Sequence, residues 1–376
     1  MATRMTTHRL PKVRSVRIAV TTTGVAGSAT GNTTSEAIVG QVLAVYVNWH
    51  ASAPAGTSDI VVEGATSGVD LYAKLNAVTD VAKVPSLYGL DNASVALTGD
   101  VTPQRYCIAE GVKVTVSQSD ALTNCAVVTI VYRPLYAEVI NVTTAGVAGS
   151  ATGNTTSNPI RGEILGILIN YHASAPAGTT DIVIEMATSG IDLYAKVNTV
   201  TDTFVVPVLF SVNNANAALT SDVTPRHYCV ADRVKVTINQ SDALTDAVIV
   251  TVFWAPLDVV RIAVTTTGAA GSASGNSSAQ VEGEVVGLAA NFHASAPNTT
   301  DIDAEGLDTG LDIWQRSNSE VDAFVVPGLF GVDNADAALT GNVTPEFYSL
   351  HDFVKVSLAQ CDALTDAVIV DLFVRR

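Results

Sequence analysis

Apolar and polar residues alternate one by one along most of this chain, and that alternation predicts β-strands. Side chains along a strand point to opposite faces in turn. Leu43, Val45, Val47 and Trp49 therefore share one face, with Asn48 and His50 on the other. The same parity recurs in Leu165, Ile167, Ile169 and Tyr171, opposite Asn170 and His172, and again at Asn291 and His293. In the first third of the chain the pattern predicts strands over Val16–Thr22, Ile38–Trp49, Asp59–Glu63, Asp70–Leu75, Val81–Leu90, Arg105–Ala109, Val112–Gln118 and Ala126–Tyr132. Val, Ile, Thr and Tyr fill these runs, and Gly, Pro, Asn, Asp and Ser separate them. No window sustains a helical period.

The pattern repeats. "TTTGVAGSATGNTTS" from Thr21 returns as "VTTAGVAGSATGNTTS" from Val142 and "TTTGAAGSASGNSS" from Thr265. "HASAP" begins at His50, His172 and His293, and "DALT" at Asp120, Asp242 and Asp362. A period of 121 to 122 residues is the size of a whole domain, far longer than a solenoid unit. The expected organisation is an extended arm over 1–13 and β-sandwich repeats over 14–134, 135–256 and 257–376. Eight short strands per repeat suit a two-sheet sandwich of jelly-roll type, so the expected fold class is all-β: three tandem jelly-roll-like sandwiches. An immunoglobulin-like sandwich is the alternative, although its Cys…Trp…Cys spacing is absent. The repeats meet at Pro134-Leu135 and at Pro256-Leu257. These joints are short and proline-stiffened, and one rotation applied twice gives either a closed pseudo-threefold ring or an open rod.

Composition narrows the function. The net charge of −16 opposes nucleic acid or an anionic membrane as partner. The charge is graded along the chain: +3 over residues 1–13, then −2, −5 and −12 over the three repeats. The N-terminus has no apolar signal-like stretch. The four cysteines do not keep their partners from repeat to repeat, so they read as free thiols made in a reducing cytoplasm.

Candidate chemistry is sparse. Each HASAP histidine precedes a strand that opens on an aspartate: His50 with Asp59, His172 with Asp181, and His293 with Asp301. If the two strands pair, His and Asp face each other across the loop, and the carboxylate favours the charged imidazole. We expect these six residues to clamp a turn. A catalytic pairing with Ser52, Ser174 or Ser295 lacks an oxyanion-hole pattern. Convergence of His50, His172 and His293 on one axial metal is a further candidate. Asp301, Asp303, Glu305, Asp308 and Asp312 form either a calcium site or, as we expect, a solvated acidic face. "GVAGSATGN" lacks the Lys-Ser/Thr of a phosphate loop and reads as a long turn. The aspartate of DALT is expected to cap its own turn. No cofactor and no enzymatic activity are expected.

The unit defined by "TTTG.AGSATGN", "HASAP..T.DI" and "SDALTDAV" resembles small all-β proteins encoded among the structural genes of tailed bacteriophages, of head-associated or decoration type. The resemblance covers the chain three times over and brings no functional residues with it. It implies a virion protein on the capsid surface, made in the host cytoplasm. Its partners would be the major capsid protein or other virion proteins, with further self-association. The alternative is a spike or fibre module that binds a host glycan or receptor, which calls for exposed aromatics on loops.

Overall fold

The structure is a computed structural model that describes residues 12–52, 54–87, 103–174, 176–211, 224–268, 270–329 and 345–376. The regular elements among these residues are all β-strands, paired antiparallel. Most of the 1–13 arm and part of the predicted strand Val81–Leu90 lie outside the described residues.

The second repeat shows the plan. One sheet runs Tyr136–Val142, Val248–Pro256, Ile160–Tyr171 and Thr203–Val205, and Cys229–Asp232 pairs with the near end of Ile160–Tyr171. The other runs Ala151–Thr156, Val234–Ser241, Asp181–Met186 and Asp192–Lys196. Counted in chain order, with Cys229–Asp232 and Val234–Ser241 taken as one strand like Cys107–Ser119 of the first repeat, the sheets read 1-8-3-6 and 2-7-4-5, the order of a jelly roll. The third repeat has the same order. In the first, strand Ala29–Trp49 spans 21 residues and runs unbroken from one sheet into the other, so a single seven-stranded sheet results. The difference is local. Pro159, which cannot donate to a ladder, interrupts the run in the second repeat, whereas the first has Ala37 and absorbs the junction as a bulge between Thr34 and Ala37.

Two expectations change. The "ATGN" end of "GVAGSATGN", assigned above to a long turn, opens the second strand of the sandwich at Ala29–Thr34 and Ala151–Thr156. Its glycine permits a close crossing: a Cβ on Gly31 would lie 2.1 Å from the Thr21 carbonyl oxygen, and on Gly153 2.2 Å from that of Thr143. The face parity also slips. A bulge between Val42 and Ala44 puts Val42, Val45, Val47 and Trp49 into the first core, leaving Leu43 outside it. In the second repeat the same bulge sends Ile164, Ile167 and Ile169 to the core and frees Leu165 and Leu168 for a different contact.

That contact is the joint between repeats. Leu165, Leu168, Phe204, Val206, Phe253 and Ala255 pack with Tyr106 and Cys107 of the first repeat. Val286, Ala289, Phe324, Val326 and Phe373 join the second repeat's core in the same way. Tyr106 meets Phe204 at 5.5 Å between ring centroids, and Tyr228 meets Phe324 at 5.3 Å. Each ring rests where a side chain is missing: a Cβ on Gly166 would meet Phe204 at 2.3 Å, and on Gly287 Phe324 at 2.9 Å. Backbone bonds repeat as well, with Leu135 N–H donating to Val39 and Leu257 N–H to Arg161, both at 3.4 Å. One joint is thus built twice.

Candidate functional site

The HASAP histidines act on their own turn. Nδ1 of His50, His172 and His293 accepts the backbone N–H of Ser52, Ser174 and Ser295, each at 3.1 Å. The aspartates serve another turn. Asp59 accepts the N–H of Asn76 at 2.9 Å and the amide of Gln118 at 2.8 Å; Asp181 takes Asn198 and Gln240, and Asp301 takes Asn318 and Gln360, at the same distances. The expected His–Asp pairing across the loop is therefore corrected. Both groups clamp turns, but each clamps its own. No serine hydroxyl is bonded to a HASAP ring among the described residues. Replacing all three histidines with Asn, a shorter acceptor, is expected to cost no more than about 1 kcal/mol per turn. Thermal melts of the triple variant check this, and a collapse of folding would contradict the clamp.

The DALT aspartates also differ from expectation. The Asp120 carboxylate accepts Gly27 N–H at 2.9 Å, and Asp242 accepts Gly149 N–H at 2.9 Å, so each ties its turn to the glycine-rich loop rather than to itself. The hydroxyls of Thr22, Thr144 and Thr266 add a second tie, donating to the carbonyls of Asp120, Asp242 and Asp362.

Further clamps carried no signal beyond their repetition. Asp80, Asp202 and Asp322 accept the N–H of Trp49, Tyr171 and Phe292. Glu110, Asp232 and Asp352 hold the turn after the strand that begins at Asp59, Asp181 or Asp301, through backbone and hydroxyl donors of Thr66 and Ser67, Thr188, and Thr309. These donors outweigh burial and lower the pKa of Asp352. Lys113–Glu63, Lys235–Glu185 and Lys355–Glu305 pair at 2.9, 2.7 and 2.7 Å.

Among the described residues, the carboxylates able to share a cation are Asp303, Glu305 and Asp312. His50, His172 and His293 form no such group, so the axial metal is not supported. The acidic trio has a resident cation already, since Lys355 sits on Glu305, and an incoming metal would have to displace it. Asp303 is peculiar to the third repeat; Val61 and Val183 stand at its position in the others. Burial, with Glu305 and Asp312 beside it, raises its pKa. A raised carboxylate penalises the fold above its folded pKa, and the penalty disappears below the ordinary value of 3.8. Asp303→Val should therefore stabilise the protein by about 1 kcal/mol at neutral pH and by nothing in strong acid. Urea midpoints at the two pH values test this, and a pH-independent gain would contradict it.

A polar network of side chains crosses repeats at the joints. Glu163 accepts from His227 Nδ1 at 3.0 Å and from Arg375 at 3.0 Å, while His227 Nε2 faces the Gln104 side-chain oxygen at 3.0 Å. First, second and third repeats meet there. Burial would raise the Glu163 pKa, but the hydrogen bond and charge of His227, with those of Arg375, outweigh it and hold the carboxyl at about 2. The four cysteines are buried and unpaired, and burial raises the thiols of Cys107 and Cys229. A cleft at the first joint, lined by Val69, Leu71, Cys107 and Leu168, holds about 10 Å³, room for one water. A scan against protein-family models gives no match, and no curated protein matches the chain.

Proposed function

We propose that this chain is a structural protein of a tailed-phage virion: a capsid decoration or cement protein that binds the outer lattice as an open pseudo-trimer. The supporting observation is the repeated joint. Gln104 touches His227, and Arg226 lies over the Phe347 ring at 4.4 Å, so equivalent segments of successive repeats touch one another. A segment that contacts its own counterpart lies close to the axis relating the two. Three sandwiches wound about one axis present three matching outer faces, which suits a lattice that is itself symmetric. The polar groups support the same reading, because the HASAP histidines and most repeated carboxylates are committed to turns.

The glycan-binding alternative calls for aromatics on loops. The exposed aromatics among the described residues, Tyr46 and Tyr136, lie within strands instead. Quantitative gels of purified virions test the proposal. Many tens of copies per particle are expected; a handful would favour a spike, and absence from the particle would overturn the reading.

A further inference from the structure

Each joint has an outgoing face on the earlier repeat and an incoming face on the later one. Two of each are used inside the chain, which leaves the first repeat's incoming face and the third repeat's outgoing face. Both are open. Tyr46 is 43% and Val84 54% exposed, whereas their counterparts Leu168 and Val206 are 4% and 0% exposed. Ser349 and His351 are exposed, whereas Cys107 and Cys229, the counterparts of Ser349, are buried.

The two open faces differ from the buried ones in a matched way. Four incoming positions carry Arg17, Lys83, Arg105 and Arg133 in the first repeat, but Val139, Val205, His227 and Ala255 in the second, and Arg261, Val325, Phe347 and Arg375 in the third, where the two arginines bond across the joint. Three outgoing positions carry Glu282, Glu284 and Glu346 in the third repeat, but Val39, Gln41 and Gln104 in the first and Arg161, Glu163 and Arg226 in the second. The open incoming face is thus wholly cationic at these sites and the open outgoing face wholly anionic. Among the described residues no ion pair occupies Arg17, Lys83, Arg105, Arg133 or Glu346; Glu284 has only an approach by Arg375 at 3.9 Å, and Glu282 one by His351 at 3.6 Å. The open incoming face also lacks the ring: Ala82 stands where Phe204 and Phe324 stand, with Ala44 in place of Gly166 and Gly287. It is a more polar edition of the same surface, suited to being wet when unoccupied.

We propose that the third repeat of one molecule docks on the first repeat of another through the joint already used twice within the chain. Buried apolar contacts hold the repeats at both internal joints, so the complement comes from a second copy. The internal joints assign the contacts. Gln104–His227 places Glu346 against Arg105, and Glu163–Arg375 places Glu284 against Arg133. Arg261 donating to the Ala231 carbonyl places Arg17 at that of His351. The contact is head-to-tail and self-propagating. It stands independently of the virion reading.

Sedimentation velocity of the full chain tests it. At about 0.05 M ionic strength the mass should rise with concentration above 38.9 kDa, and at about 0.5 M it should fall back, since exposed ion pairs are screened. Reversing the incoming face (Arg105→Glu with Arg133→Glu), or the outgoing face (Glu284→Arg with Glu346→Arg), should weaken self-association at least ~10-fold. Mixing the two variants, or combining all four changes in one chain, should restore it. A single 38.9 kDa species at every concentration in low salt overturns the proposal, as does a closed ring within one chain. Association that ignores both reversals overturns it too. The wild-type salt dependence stands even where a variant fails to melt normally.

Discussion

Phe253→Ala will destabilise the protein by about 3–5 kcal/mol, the cost of emptying a ring-sized site in a packed core. Phe253 is completely buried, although its position on an isolated sandwich would face water. Its ring lies 6.3 Å from that of Phe204, which in turn contacts Tyr106 of the first repeat. The loss therefore falls on the joint as well as on the second sandwich. Val131 occupies the equivalent position in the first repeat and is only half-buried, so Val131→Ala should cost about 1 kcal/mol. Urea unfolding compares the two directly. Limited proteolysis near Pro134 adds a local reading, with faster cleavage expected in the Phe253 variant alone. Equal costs at the two positions would mean that the joint contributes no burial.

Glu163→Gln will cost about 2 kcal/mol at neutral pH, because it leaves the largely buried His227 imidazole and the Arg375 guanidinium at its rim without their counter-charge. The same residue makes the wild-type joint sensitive to acid. A carboxylate held at about 2, against an ordinary 4.5, contributes stability that is complete above 4.5 and lost as the pH falls from there towards 2. The gap in urea midpoint between wild type and Glu163→Gln should accordingly be widest near neutrality and close across that window. A gap that stays constant with pH would assign Glu163 a packing role only.

Much of the fold was legible in the alternation of apolar and polar residues. Strand periodicity, the repeat period and the absence of helical windows together imply stacked sandwiches, and the eight-strand count implies the jelly roll. Two features escaped for physical reasons. A β-bulge adds one residue and exchanges the faces beyond it, so Leu43 and Leu165 could not be placed by parity alone. A glycine-rich strand such as "ATGNTT" resembles a turn, because its glycines answer to a close neighbour that the sequence does not display. The candidate sites fared similarly. Copying of His50, Asp59, Asp120 and their equivalents marked them as parts of the unit, and they are clamps. Which donor each one serves is set by the folded loops around it, which the sequence does not display. The joint carried a signal in the opposite sense at some of its residues, where the copies disagree. Ring and glycine vary together at Phe204 with Gly166 and at Phe324 with Gly287, while alanines fill both places in the first repeat. Comparing repeats for what they share finds the core; comparing them for what they do not share finds the contacts between them.

The central claim is one sandwich used three times and one joint used twice. An experimental map of the full chain at side-chain resolution tests it most directly. The rotation carrying the first repeat onto the second should match that carrying the second onto the third, with Tyr106 on Phe204 and Tyr228 on Phe324. Two unlike rotations, or repeats separated by solvent at Leu135 or Leu257, would contradict it.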